Sequence, residues 1–201
     1  TSGTVVTGRP HKIIPVTMRS TAISNWAKAV DQLTGLWHLE GKEVSIFADS
    51  FVIASPYNPR YVSYTVANGS ITLAAPYSVI TVGLPYISDL ETLDIDIGQG
   101  ETMANKNKII NEVMVYLDKT RGLFIGAKAP VDDEVDALQD LTELKLRSVE
   151  GYDSAVDLFT GKDKVCIEPQ WNSNGRIFMR QVDPLPVSIL AVIPNGFLPL
   201  R

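Results

Sequence analysis

The stretch Gly35-Leu36-Trp37-His38-Leu39-Glu40-Gly41-Lys42-Glu43-Val44-Ser45-Ile46-Phe47-Ala48-Asp49-Ser50 decides the fold class. It opens apolar, turns at Glu40-Gly41-Lys42 and then alternates. Side chains alternate across a strand, so Val44 and Ile46 take one face and Ser45 and Phe47 the other. Ala48-Asp49-Ser50 reads as a tight turn, and Phe51-Val52-Ile53 returns as the next strand.

Working outward toward the start, Val5-Val6 and Ile13-Ile14-Pro15-Val16 read as extended structure with interruptions. Ser24 caps an expected short helix whose apolar positions Trp26, Val30 and Leu33 are spaced i, i+4, i+7, with Gly35 as its stop. In the other direction, Asn68-Gly69 between β-rich runs marks a hairpin, because a type I′ turn needs positive φ at both central positions. Ser78 to Val82 is a strand closed by Gly83, and Leu93-Asp94-Ile95-Asp96-Ile97 alternates as another.

Lys108 to Leu117 reads as a long strand; Thr120-Arg121-Gly122 turns it and Leu123 to Gly126 continues. The apolar spacing of Asp132 to Leu141 is too ragged for a helix and favours an acidic loop. Glu143 to Arg147 alternates, and Lys164 to Ile167 pairs with Arg176 to Arg180 around a Pro169 to Gly175 turn. Val187 to Ile193 is the last strand, ended by Pro194. So many short strands with at most one or two short helices predict an all-β, antiparallel sandwich or barrel-like architecture. Residues 1–34 are read as an N-terminal segment and 35–201 as the β-rich domain.

The 201 residues are 45% hydrophobic and 20% charged, the composition of a globular protein with room for one sizeable core or two small ones. No run reaches the ~18 uncharged apolar residues of a membrane-spanning helix. The start lacks a basic, apolar leader and an initiator Met, which suggests a fragment or a processed piece. Net charge is −5, from 18 basic and 23 acidic residues, whereas a nucleic-acid clamp is normally basic. The single cysteine, Cys166, excludes an internal disulfide and reads as a buried, inert thiol.

The search for chemistry returns little. There is no nucleophile elbow and no phosphate loop. The two histidines, His11 and His38, have no neighbouring nucleophile or carboxylate that suggests a triad, and His38 reads as structural. Asp89, Glu91, Asp94 and Asp96 are the best metal-ligand candidates. On a strand Asp94 and Asp96 would share a face about 7 Å apart, from ~3.4 Å per residue. The alternation with Leu93, Ile95 and Ile97 equally describes a half-exposed strand, and the solvated face is the reading adopted. Lys106, Lys108, Lys119 and Arg121 form a weak basic stretch without an adjacent stacking aromatic. Tyr57, Tyr61, Tyr64, Tyr77, Tyr86 and Trp171 would suit either a sugar-stacking platform or strand packing. No catalytic, cofactor or metal residues are assigned.

The order of several motifs is more informative than any one of them. Gly35 to Val44 is followed by Val82-Gly83-Leu84-Pro85-Tyr86, Glu91-Thr92-Leu93, Thr120-Arg121-Gly122-Leu123 and Leu158-Phe159-Thr160-Gly161. Then come Trp171-Asn172-Ser173-Asn174-Gly175-Arg176, Asp183-Pro184-Leu185-Pro186 and Ala191-Val192-Ile193-Pro194. This succession, over residues 35–198, resembles the C-terminal part of the nozzle, or tail tubular B-like, proteins of short-tailed bacteriophages. In such proteins the opening stretch usually continues to Asp-Gly; here it is Asp49-Ser50.

The resemblance implies a virion structural protein of the tail, made in the host cytoplasm, and a homo-oligomeric ring, suggested to be a hexamer. It implies contacts with other tail proteins such as adaptor, fibres or needle, and passage of DNA without specific binding. It implies no catalytic residues. The alternative expectation is a carbohydrate-binding β-sandwich engaged in host-surface attachment.

Overall fold

The computed structural model describes residues 3–7, 14–18, 29–96, 106–130, 138, 140–145 and 157–197. Among them the fold is all-β, and every strand pair is antiparallel. Among the described residues the only helical piece is a single 3-10 turn, Trp37–Leu39. The chain divides into two compact units, Thr1–Pro85 and Tyr86–Arg201. The limit read from the sequence at residue 34 therefore falls inside the first unit.

In the first unit β1 (Gly3–Thr7) and β2 (Ile14–Met18) pair with each other in a two-stranded ribbon. A second pair joins β3 (Val30–Thr34) to β7 (Ser70–Tyr77). The remaining sheet centres on β4 (Glu43–Ala48), which pairs with β5 (Phe51–Ala54), β6 (Tyr64–Thr65) and β8 (Ile80–Gly83). Val44, Ile46 and Ala48 of β4 pack with Leu33, Ile71, Leu73 and Ile80 in one apolar core. The alternation that marks β4 in the sequence is what places those three side chains on the covered face.

The second unit encloses its core between two sheets. One orders β12 (Thr142–Glu143), β11 (Phe124–Gly126), β15 (Phe178–Gln181) and β9 (Ser88–Glu91). The other is built on β10 (Lys108–Thr120), flanked by β13 (Phe159–Cys166) and β14 (Trp171–Asn172) and paired also with β16 (Ile189–Phe197). Val113, Val115 and Leu117 from β10 meet Ile125 from β11 and Met179 from β15 in a single cluster.

Several readings need correction. Val30 and Leu33 lie on a strand, not on a helix, because β3 completes its backbone bonds against β7 with only Leu33 buried; Ser24 and Trp26 lie outside the described residues. Residues 92–96 form no strand: Thr92 N–H donates to the Ile177 carbonyl and Ile95 N–H to that of Asn174, two separate bonds rather than a ladder. Residues 164–167 and 176–180 do not pair; β13 joins β10, whereas β15 sits in the opposite sheet between β11 and β9. Pro194 does not end the last strand but lies within β16 opposite Val113, and an edge strand tolerates the missing donor. Cys166 is exposed, since the buried neighbours Val165 and Ile167 take the inner face. The segments 131–137 and 146–147 lie outside the described residues.

Candidate functional site

Side chains and backbone of several motif residues hold turns and loop segments elsewhere in their own unit. Asn68 and Gly69 both have positive φ, 53° and 62°, and Ala67 and Ser70 exchange two backbone hydrogen bonds around them. The expected tight turn is therefore present, but its arms separate at once: Tyr64 and Thr65 pair with β4, whereas Ser70 onward pairs with β3. The Glu40 carboxylate holds the turn, accepting the N–H of Asn68 at 2.8 Å and of Gly69 at 2.6 Å. The Trp37 indole covers Gly69 so closely that a Cβ there would lie 2.5 Å from it.

Asp49 repeats the arrangement. Its carboxylate accepts the N–H groups of Ser78 and Val79, both at 2.8 Å, and its own N–H donates to the Val79 carbonyl. Asp49 and Ser50 themselves turn β4 into β5 with φ of 46° and 72°.

In the second unit, Thr120-Arg121-Gly122 meets Asp183-Pro184-Leu185-Pro186. Ser188 N–H donates to the Thr120 hydroxyl at 2.8 Å, and Arg121 N–H donates to the Pro186 carbonyl. The nearly buried Gln181 amide donates to the carbonyls of Leu185 and Arg121. Thr160, from the Leu158 to Gly161 motif, donates to Asp118 at 2.9 Å and accepts the Lys119 N–H. Thr92 accepts the Ile177 N–H at 2.9 Å, and Lys108 Nζ donates to the Ser173 carbonyl at 2.6 Å.

The candidate acidic cluster is divided between two arginines. Asp89 receives two parallel bonds from Arg180, Nε and Nη2 each at 2.7 Å. Arg180 is only 2% exposed and its guanidinium lies 5.3 Å from the centre of the Phe178 ring. Arg176 pairs with Asp94, and with Glu91 at 3.4 Å. The hydrogen bond to Asp94 raises the Arg176 pKa further. A fork of this geometry neutralises carboxylates that a cation would otherwise need. No group of three or more potential metal ligands converges among the described residues.

Beside Asp89 lies a cleft of about 480 Å³ between β9 and the segment leading into β16. Leu123, Met179, Leu185, Val187 and Ile189 form its apolar wall, and Tyr86, Ser88, Asp89 and Gln181 its polar one. Tyr86 stands 68% exposed at this cleft. The lining holds neither histidine nor lysine to activate Ser88. What the cleft offers is an apolar bed with a few hydrogen-bonding groups, the make-up of a binding surface.

The remaining residues singled out in the sequence are scattered. His38 is exposed on the 3-10 turn of the first unit, and His11 lies outside the described residues. Lys108 is buried under its Ser173 bond, so it joins no basic surface with Lys106. Tyr57, Tyr61, Tyr64 and Tyr77 belong to the first unit, and Trp171 sits on β14 away from the cleft lining. Sequence reasoning missed Gln181 and Arg180, whose roles depend on partners 60 and 91 positions away. Neither a scan of protein-family models nor a search of curated proteins returns a match to this chain.

Proposed function

We propose that the chain is a structural component of a bacteriophage tail, a nozzle or tail tubular B-like protein. In this reading it forms part of a homo-oligomeric ring around the path of DNA ejection and contacts neighbouring tail proteins. The observation that supports the reading is that residues of the ordered motifs hydrogen-bond to backbone elsewhere in their own unit. Glu40 with Asn68-Gly69 and Thr120-Arg121 with the Pro186 to Ser188 backbone fix turns, and Thr92 with Ile177 continues the β9–β15 pairing. Fixed turns suit a protein whose task is to present rigid surfaces to neighbours; catalytic residues would instead converge on a substrate.

Charge adds to it. A net charge of −5 disfavours retention of a passing phosphate backbone. Asp89 and Asp94 add little to that repulsion, since Arg180 and Arg176 neutralise them. Native mass spectrometry of the purified chain tests the reading: a discrete closed oligomer supports it, and a single chain at every concentration contradicts it.

The second reading, a carbohydrate-binding module, draws on the cleft alone, where exposed Tyr86 stands beside Asp89. Glycan-array binding that Tyr86→Ala abolishes would favour it over the first.

A further inference from the structure

We infer that the outer edge of β16 is a strand-pairing site for the β1–β2 ribbon of a second copy of this chain. The inference deepens the ring reading and rests on it. β10 lies inside its sheet, between β13 with β14 on one side and β16 on the other, so β16 is an edge. The opposite edge is guarded by charge. β13 carries Lys162, Asp163 and Lys164, and Asp163 lies opposite the fully buried Val115, on the inner face. Lysines and inward-pointing charges are the usual protection of an edge against strand addition. β9 is short and holds two carboxylates, Asp89 and Glu91. β16 runs nine residues without a charge, and its Leu190 and Ile193 are 68% and 46% exposed; its bulge at Leu190 and its Pro194 confine the open stretch to residues 191–193.

The ribbon has the complementary need. β1 and β2 pair in register from Gly3–Met18 to Thr7–Ile14 and with no other strand among the described residues. A lone two-stranded ribbon is marginal in water, and addition to a sheet supplies the missing bonds. Neither strand has a charged residue, so docking on the neutral edge leaves no ion unpaired. β2 contains Pro15, which cannot donate to a ladder, so β1 is the docking strand.

β16 itself is a poor partner for another β16. Leu190 bulges between the Ala191–Tyr116 and Ile189–Leu117 pairs, and Pro194 follows four residues later. Two copies of β16 would oppose both irregularities; β1 brings neither. Ribbon and edge are different surfaces, so the contact is head-to-tail, the kind that closes rings.

Sedimentation of the full chain, of Ile193→Lys and of a variant lacking residues 1–18 tests this. Ile193 is exposed, so the lysine leaves folding intact; Val5→Lys in the full chain replaces the deletion if that fails to fold. The parent should associate and each variant should sediment as a single chain. A mixture of the edge variant and the ribbon variant should form one-to-one pairs that grow no further, because each pair retains one intact contact. Association of either variant like the parent, or a mixture that stays monomeric, would overturn the strand pairing while leaving the ring reading intact. A monomeric parent would overturn both.

Discussion

The carboxylate of Glu40 accepts the backbone N–H of Gly69 at 2.6 Å, across 29 positions of sequence. A side chain from the opening stretch thus completes the hydrogen bonding of a distant turn. The same relation joins Asp49 to Ser78 and Val79, and Thr120 to Ser188. Backbone donors at turn tips have no ladder partner of their own, so these acceptors set the turn's position.

Removing the clamp should loosen the turn in graded steps. Glu40→Ala should cost about 1 kcal/mol, since the charge-assisted bonds lie at the surface. Gly69→Ala should cost more: positive φ alone penalises a side chain by about 1–3 kcal/mol, and the new Cβ overlaps the Trp37 indole. Denaturant unfolding of both variants checks the order; equal losses would refute the indole contact.

Ser50 should be improvable. It holds φ of 72° at the β4–β5 turn, a conformation that glycine adopts freely. Ser50→Gly should raise stability by about 0.5–1 kcal/mol, the relief of strain less glycine's entropy cost. A lower unfolding midpoint would show that the turn is unstrained.

The two arginine forks should differ in weight. Asp89→Ala takes two bonds from a guanidinium that is 2% exposed, and should cost about 2 kcal/mol. Asp94→Ala takes its bond from the more exposed Arg176 and should stay within about 1 kcal/mol. Thermal unfolding of the pair measures the contrast, and equal effects would contradict it.

The sheet of β10 should show a small pH dependence of defined sign. Glu112 accepts from Lys164 at 2.5 Å and from Asn195 at 3.1 Å, linking β13, β10 and β16. The Lys164 bond, then that of Asn195, lowers the Glu112 pKa, and the same pair raises that of Lys164. The Glu112 contribution is complete above the ordinary carboxylate range and is lost as pH falls through its folded value. The Lys164 contribution is complete below the ordinary lysine range and is lost as pH rises through its folded value. Glu112→Gln should therefore flatten the acid limb of the stability profile and leave the neutral region nearly level. An unchanged acid limb would show that the pair does not act.

What the sequence discloses follows the range of the interaction. The turns at Asp49-Ser50 and Asn68-Gly69 and the strand from Lys108 are set by neighbouring residues, and they are legible. Strand partners are not. Residues 176–180 read as a short strand with an apolar centre, and only packing decides that β15 joins β11 and β9 rather than β13. Leu93 to Asp96 alternates in sequence, yet its backbone is held by isolated bonds and Leu93 is 88% exposed. The motif order was visible, but that Glu40 belongs to Gly69 and Gln181 to Leu185 requires the folded chain. The cleft beside Asp89 has no local signature, because its walls come from β9, β15 and the approach to β16.

Electron microscopy of the purified chain tests the ring most directly. Class averages should show closed rings of uniform subunit number around a central opening. Single particles the size of one chain, or open filaments without closure, would contradict the account.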